Sequence, residues 1–496
     1  MAKIQRLFDH LFNPVIPVFL ALIGSFIFVD AYGPADVVNY HLPFSVRLFG
    51  LSNYPDLTGY MDDLYNGFPV LWRLALAPGL AMDRPRLFLV PNLFALGLFT
   101  FLCRRYLRLP LAVAAASCLV FPVALYEFRT ALQDFFLNAM VGSAMLLLLY
   151  PRRAGPFSSV TRLLLPRELF GLLLLAIAAN IKFQGFFMAL LLLVTWVFLR
   201  CREGRRLNSD IAFAAERSKS SGQVLIAVCL CLAIAFQPIH NIYKFGNPFF
   251  PIQVAGLRGS VPKTNSPIQY IPNIPFVFNT ISFFASSTEI DPIIRSEAGW
   301  EFQRSWHNFN RPKPYYLDRN ANHPWVMTGG SNGIIFVLLS LGAWLTLFQG
   351  KKMFTSFADQ EIYSLHCRLI GVSLLFTLLP QSMELRYYMV ILFMVAVVAT
   401  SSLLLVVKSS MRWIVSAGLW FIIGVAFLSP SYFWFRTGQW SSDRGLVTPY
   451  VLNAVKPRID CAAVIRHTES GGRAISFGYR TIPEQLKCFI IERNSN

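Results

Sequence analysis

Hydrophobic residues in this chain come mostly in long runs, not at the alternating spacing of half-buried strands. Such runs recur from Pro14 to Leu428, with examples at Ile334–Leu347 and Val390–Val407. A helix of about 18 or more apolar residues is long enough to cross a bilayer. The pattern predicts about eleven helical spans, and the fold class is therefore an all-α polytopic membrane protein. The spans fall near Pro14–Val29, Leu87–Cys103, Leu111–Tyr126, Leu132–Tyr150, Glu168–Ile181 and Phe186–Leu199. The others fall near Val224–Ile239, Gly333–Leu347, Leu365–Leu379, Tyr388–Val407 and Trp413–Leu428. Shorter interfacial helices are expected around Tyr40–Phe49 and Asp62–Leu76.

Composition agrees with this pattern. Of 496 residues, 55% are hydrophobic and 14% charged, against roughly 25% charged in a soluble domain. The net charge of +18 would suit nucleic acid, but its placement does not. The cations are not interleaved with aromatics on one face. They fill every second loop: Lys3 and Arg6, then Arg104, Arg105 and Arg108, then Arg152 to Arg167, then Arg200 to Lys219, then Lys351 and Lys352, then Lys408 and Arg412. Basic loops stay on the cytoplasmic side, so the N-terminus is expected to be cytoplasmic and the C-terminal tail outside. Phe28-Val29-Asp30-Ala31 is a poor cleavage site for a signal peptide, so the first span is expected to stay as an anchor.

Large segments then face outward: 30–86, 241–332 and the tail from Ser429. Loops of this length usually carry function. The domain reading is a multispan module over 1–429 and a small extracytoplasmic C-terminal domain over 430–496. In that tail Ala474–Phe477 and Cys488–Glu492 alternate like strands, so it is expected to be α/β. Cys461 and Cys488 are the cysteines on the outer side, where disulfides persist, and they are expected to pair.

Charged groups near a membrane interior are costly and default to functional candidates. Here they gather at the outer ends of the spans. Asp36 stands in Asp36-Val-Val-Asn-Tyr40-His41-Leu-Pro43. Glu127, Arg129 and Asp134 lie between the third and fourth spans. Lys182 and Gln184 lie in the short turn Asn180-Ile-Lys-Phe-Gln-Gly185, and Glu384 and Arg386 lie in Glu384-Leu-Arg-Tyr-Tyr388. A carboxylate beside several cations at a membrane surface suits a phosphate-bearing lipid and a proton-abstracting base. Blander roles stay open for each. Asp36 would serve equally as a helix cap, Lys182 as a snorkelling side chain, and Glu384 and Arg386 as each other's partner. His41 is read as a packing or hydrogen-bonding residue ahead of a metal ligand. There is no zinc-type ligand spacing and no phosphate-cradling glycine-rich loop.

These motifs resemble those of the GT-C superfamily, multispan glycosyltransferases that take sugar from a polyprenyl-phosphate carrier. The likeness is to bacterial members related to protein O-mannosyltransferases and the lipid A aminoarabinose transferase. Asp36 to Pro43 is similar to the family's first-loop motif, Lys182-Phe-Gln-Gly185 to its Lys-aromatic-x-Gly turn, and Asn241 to Pro251 to the segment opening its large outer loop. Glu384-Leu-Arg-Tyr387 is similar to its Glu-x-Arg-Tyr motif. Asp36 lacks the adjacent second acid common in the family; Asp30 and Asp62-Asp63 are the nearby acids.

The resemblance implies a donor held at the outer membrane surface of a bacterial inner membrane and a glycan, lipid or protein acceptor. Asp36 would be the general base, with inversion at the anomeric carbon. Lys182, Arg386 and Arg129 would hold the lipid phosphate. Tyr40, His41, Gln184, Glu384, Tyr387, Glu127 and His307 would support the substrates or the site. No cofactor is fixed, and a divalent metal ion stays open because one carboxylate serves equally as base or ligand. Two rival readings are an O-antigen ligase or polymerase using polyprenyl-diphosphate glycans, with Arg295, Arg304, His307 and Arg311 at work, and a lipid-linked glycan transporter.

Overall fold

The computed structural model of the chain describes residues 41, 44, 45, 48, 60–81, 85–128, 132–151, 165–207, 221–251, 257, 259, 339–344, 357–379, 388–406, 415, 418 and 419. Every extended element among them is helical. In chain order these are α1 (Tyr60–Gly67), α2 (Leu71–Ala81), a 3₁₀ turn (Pro85–Leu89), α3 (Val90–Leu107), α4 (Leu111–Leu119) and α5 (Pro122–Phe128). There follow α6 (Asp134–Leu149), α7 (Pro166–Ala179), α8 (Phe183–Leu207), α9 (Ser221–Ile234), α10 (Phe236–Phe245), α11 (Phe357–Phe376) and α12 (Met389–Val406).

Three expected helices are each broken in two, and a proline explains every break. The expected span over Leu111–Tyr126 is the pair α4 and α5, parted at Val120-Phe121. Pro122 lacks an N–H and its ring crowds the carbonyl four residues back, so the helix restarts there. The expected span over Val224–Ile239 is α9 and α10, bent by 52° at Ala235. Pro238 removes the bond that would have reached Ile234. The interfacial helix expected over Asp62–Leu76 is α1 and α2, separated by Phe68-Pro69-Val70. The spans expected at Pro14–Val29 and at Gly333–Leu347 and Trp413–Leu428 lie wholly or mostly outside the described residues, as does the tail with Cys461 and Cys488.

Among the described residues, Leu87–Leu107 and Phe183–Glu203 are each long and apolar enough to cross a membrane, and the bent pair makes a third. Asp134–Leu149 and Met389–Leu405 are shorter and equally apolar. Helix α6 is buried along its whole length, as a helix apolar on all sides must be. It is wrapped by α3, α7, α8, α11 and α12. The outer surfaces of the wrapping helices are themselves apolar: Phe94 and Phe101 of α3 are 60% and 59% exposed, and Phe198 of α8 is 63% exposed. Apolar patches of that kind need hydrocarbon, not water, around them.

Side-chain contacts sort the helix ends into two sets. At one end Arg108 pairs with Asp359 at 3.5 Å, Arg368 with Glu203 at 2.6 Å and Arg200 with Glu168 at 3.4 Å. Tyr150 donates to Glu361 at 2.9 Å, and Glu168 also accepts the N–H of Leu165 to start α7. Arg108 and Arg200, from two of the loops read as basic, thus meet their partners at this end. At the other end lie the start of α3, α6, α8 and α12, the finish of α5, α7 and α9, and the short helices α1, α2 and α10.

Candidate functional site at the end opposite the arginines

The site is anchored by the first turn of α6. Asp134 opens that helix, where the exposed N–H dipoles favour a carboxylate. Its side chain is 1% exposed and accepts from Lys182 Nζ at 2.7 Å, while Lys182 is 15% exposed. Lys182 sits on the turn between α7 and α8. That turn is closed by Ile181 N–H on the Ala178 carbonyl at 3.2 Å and Gly185 N–H on the Lys182 carbonyl at 2.9 Å. Gly185 allows it: a Cβ there would collide with the Ala178 carbonyl oxygen and come within 2.7 Å of Leu137 Cδ1.

The first outer segment docks against this turn. Leu71 N–H, at the start of α2, donates to the Asn180 carbonyl at 3.3 Å. Two residues on, Arg73 is buried, 5% exposed, with Nη1 donating to the Tyr65 carbonyl at 2.7 Å and Nη2 to the Phe68 carbonyl at 3.2 Å. The Phe44 and Tyr65 rings lie 4.9 and 4.7 Å from the guanidinium carbon. Burial lowers the pKa of this guanidinium from its ordinary value to about 10, the nearby Tyr65 acting the other way. Phe44 also packs edge-on against Tyr65, with centroids 5.4 Å apart. Just before it, His41 is buried and its carbonyl accepts from Ser45 Oγ at 2.8 Å.

The segment that opens the large outer loop arrives at the same place. The Gly67 carbonyl accepts from both Gln237 Nε2 and Asn241 Nδ2 at 3.1 Å, and Asn241 also donates to the Phe250 carbonyl at 2.9 Å. A Cβ on Gly67 would lie 2.6 Å from Pro251 Cδ, so the contact requires glycine.

Buried and half-buried carboxamides hold the helix ends together. Asn92 of α3 donates to the carbonyls of Glu127 and Phe128, at 3.3 and 3.2 Å, where α5 finishes. Asn180 donates to Ala176 and to Ala233, at 2.8 and 2.7 Å, where α7 and α9 finish. Asn138 of α6 accepts from Val390 N–H at 2.9 Å, where α12 starts. Helix ends leave backbone groups without intrahelical partners, and in hydrocarbon these are costly. The amides meet that need and permit irregular backbone at this end.

Of the side chains singled out in the sequence, the structure brings Lys182 to Asp134 and buries His41, Glu127 and Gln184 at this end of the bundle. Asp36, Tyr40, Arg129, His307, Glu384, Arg386 and Tyr387 lie outside the described residues. Tyr388, directly after the last of them, is fully buried. Among the described residues no three His, Cys, Asp or Glu side chains are grouped as metal ligands. Sequence reasoning gave no role to Asn92, Asn138, Asn180 or Arg73. A polar residue inside an apolar run was the available signal for the first two.

Fold and site thus define, among the described residues, a helical bundle with spans fit to cross a membrane. Among solved structures it is similar to ArnT from Cupriavidus metallidurans bound to undecaprenyl phosphate, at 13% identity and a TM-score of 0.44, over 97% of this chain and 77% of that one. It is also similar to ArnT from the same organism in the apo state, at 12% identity and a TM-score of 0.33, over 78% of this chain and 76% of that one. Both scores fall below 0.5, so neither likeness establishes a common fold. No family model and no curated protein matches the chain.

Proposed function

We propose that the protein is an inverting glycosyltransferase that moves a monosaccharide from a polyprenyl-phosphate carrier to an acceptor hydroxyl on the extracytoplasmic face. The observation that carries this reading is convergence. The segments flanking or containing all four sequence motifs are joined by an unbroken chain of contacts at one bundle end. Phe44, three residues after His41, rests on Tyr65 and Arg73; Leu71 binds Asn180; Lys182 binds Asp134. Asn138 of α6 binds Val390, and Asn241 ties the outer-loop segment to Gly67.

In this reading Asp36 takes the proton from the acceptor hydroxyl. The acceptor oxygen attacks the anomeric carbon, the bond from that carbon to the phosphate oxygen breaks, and the electron pair leaves with polyprenyl phosphate. A placed base contributes about 10²–10⁴-fold to such a step. Lys182, Arg386 and Arg129 stabilise the charge on the departing phosphate. An ammonium carries three donors, so pairing with Asp134 does not bar Lys182 from a phosphate oxygen.

The test compares lipid-extracted and cell-surface glycans by mass spectrometry in cells expressing wild type or Asp36→Asn at matched membrane levels. The expected result is a product lacking one sugar in the variant, with the polyprenyl-phosphate sugar retained. Identical glycans in both would overturn Asp36 as the base.

A further inference from the structure

Val390 is the second residue of α12, and its N–H lies in the first turn, where the helix offers no carbonyl of its own. The residue is fully buried, so water does not satisfy that donor. Its acceptor is Oδ1 of Asn138 at 2.9 Å, from a helix 252 positions away in sequence. The other half of the same carboxamide is committed to its own helix, with Nδ2 donating at 2.7 Å to the carbonyl of Asp134 one turn earlier. That second bond sets the direction in which the amide faces, presenting oxygen and not NH₂ to Val390. Asn138 therefore stands one helical turn from the carboxylate that grips Lys182. The amide it caps lies just past Glu384-Leu-Arg-Tyr387 in the chain.

We propose that Asn138 is a positioning residue, a cap lent by α6 to α12 that registers the chain entering α12 against the Lys182–Asp134 pair. The proposal rests on the glycosyltransferase reading and deepens it. There, Lys182 and Arg386 hold one phosphate from two different elements, and a shared anion needs its two cations at a set separation. Asn138 touches neither substrate and acts through the backbone it holds. A leucine at this position keeps the branched shape, with bulkier methyl groups in place of O and NH₂, but offers neither bond. An aspartate keeps an acceptor for Val390 N–H.

The experiment uses the full-length purified protein in lipid nanodiscs, as wild type, Asn138→Leu and Asn138→Asp. Amide hydrogen exchange is followed by mass spectrometry over a peptide covering 384–392, and donor KM and kcat are measured with a polyprenyl-phosphate hexose. In Asn138→Leu, Val390 exchange and that of the adjoining 384–387 segment rise, and donor KM rises about tenfold, the scale of one lost buried hydrogen bond. The kcat changes far less, the thermal midpoint falls because a buried donor is left unmet, and Asn138→Asp recovers part of the protection. Unchanged exchange in Asn138→Leu would overturn the cap. Faster exchange with unaltered donor KM would reduce Asn138 to a structural brace and overturn the positioning role. Where Asn138→Leu fails to fold, Asn138→Ala, which removes both bonds without adding bulk, is read against the same outcomes. A wild type that never turns over the donor overturns the glycosyltransferase reading instead, and the exchange comparison still decides whether Asn138 registers the segment.

Discussion

Lys182 and Asp134, 48 positions apart in the chain, meet as a largely buried ion pair with Nζ and Oδ1 separated by 2.7 Å. Removing one member of such a pair leaves the other charge in a poor solvent, whereas replacing both with apolar groups is close to neutral. Lys182→Met is therefore expected to destabilise the protein by ~3 kcal/mol, and Lys182→Met/Asp134→Leu by much less. Thermal unfolding in detergent, followed by tryptophan fluorescence, measures both. A double variant no more stable than the single one would show that the two charges do not depend on each other.

Arg73 fixes three pieces of the first outer segment through its carbonyl acceptors and its two rings. Arg73→Met keeps the stem and loses the rest, with an expected loss of ~2–3 kcal/mol. Its pH dependence has a definite sign. The folded-state value of about 10 lies below the ordinary guanidinium value of an unfolded chain, so the unfolded chain holds the proton more tightly. This group's contribution is flat at neutral pH and grows more favourable to the folded state only as pH rises above about 10. Between pH 6 and 8 the wild type and Arg73→Met are thus expected to differ by a constant amount, as denaturation midpoints across that range will report.

Glycines in this protein fall into two groups by what a Cβ would meet. At Gly185 it collides with the Ala178 carbonyl, and at Gly67 it lies 2.6 Å from Pro251 Cδ, while nothing lies within 4 Å at Gly97 or Gly222. Gly185→Ala and Gly67→Ala are expected to sharply lower the yield of monodisperse protein in size-exclusion chromatography. Gly97→Ala and Gly222→Ala lie within helices and are expected to be stabilising by ~0.5–1 kcal/mol.

Tyr150 and Glu361 join α6 to α11 at the basic end through a 2.9 Å hydrogen bond. Tyr150→Phe removes that donor alone and is expected to cost ~2 kcal/mol, the scale of a hydrogen bond to a charged group. The same melting assay checks it, with Tyr106, whose ring packs 4.9 Å from that of Tyr150, left in place as the packing reference.

How far the sequence could be read depended on which forces were local. The apolar runs disclosed α3, α6, α8 and α12 because span length is set by bilayer thickness alone. Pro69, Pro122 and Pro238 stood in plain view, yet the apolar runs continue across them and conceal the breaks. The basic loops were read to one face from charge; of their described members, Arg108 and Arg200 meet carboxylate partners at one end of the bundle. Lys182 was marked as a candidate, but that Asp134 holds it was not legible, because the pairing depends on how α6 and the α7–α8 turn pack. The same holds for Asn138 and Val390. A carboxamide in an apolar run announces that it needs partners without saying whose.

The burial of α6 on every side has a consequence for how the protein is made. The helix leaves the ribosome early, carrying Asp134 and Asn138, yet Phe393 and Val390, which cover Phe135 and Asn138, are synthesised some 250 residues later. Until then one flank of α6 must face lipid or whatever attends nascent chains in the bilayer. A chain stopped before α12 would expose a polar amide and an aromatic ring to the hydrocarbon, a ready mark for quality control. A helix synthesised late completes the burial of an early one.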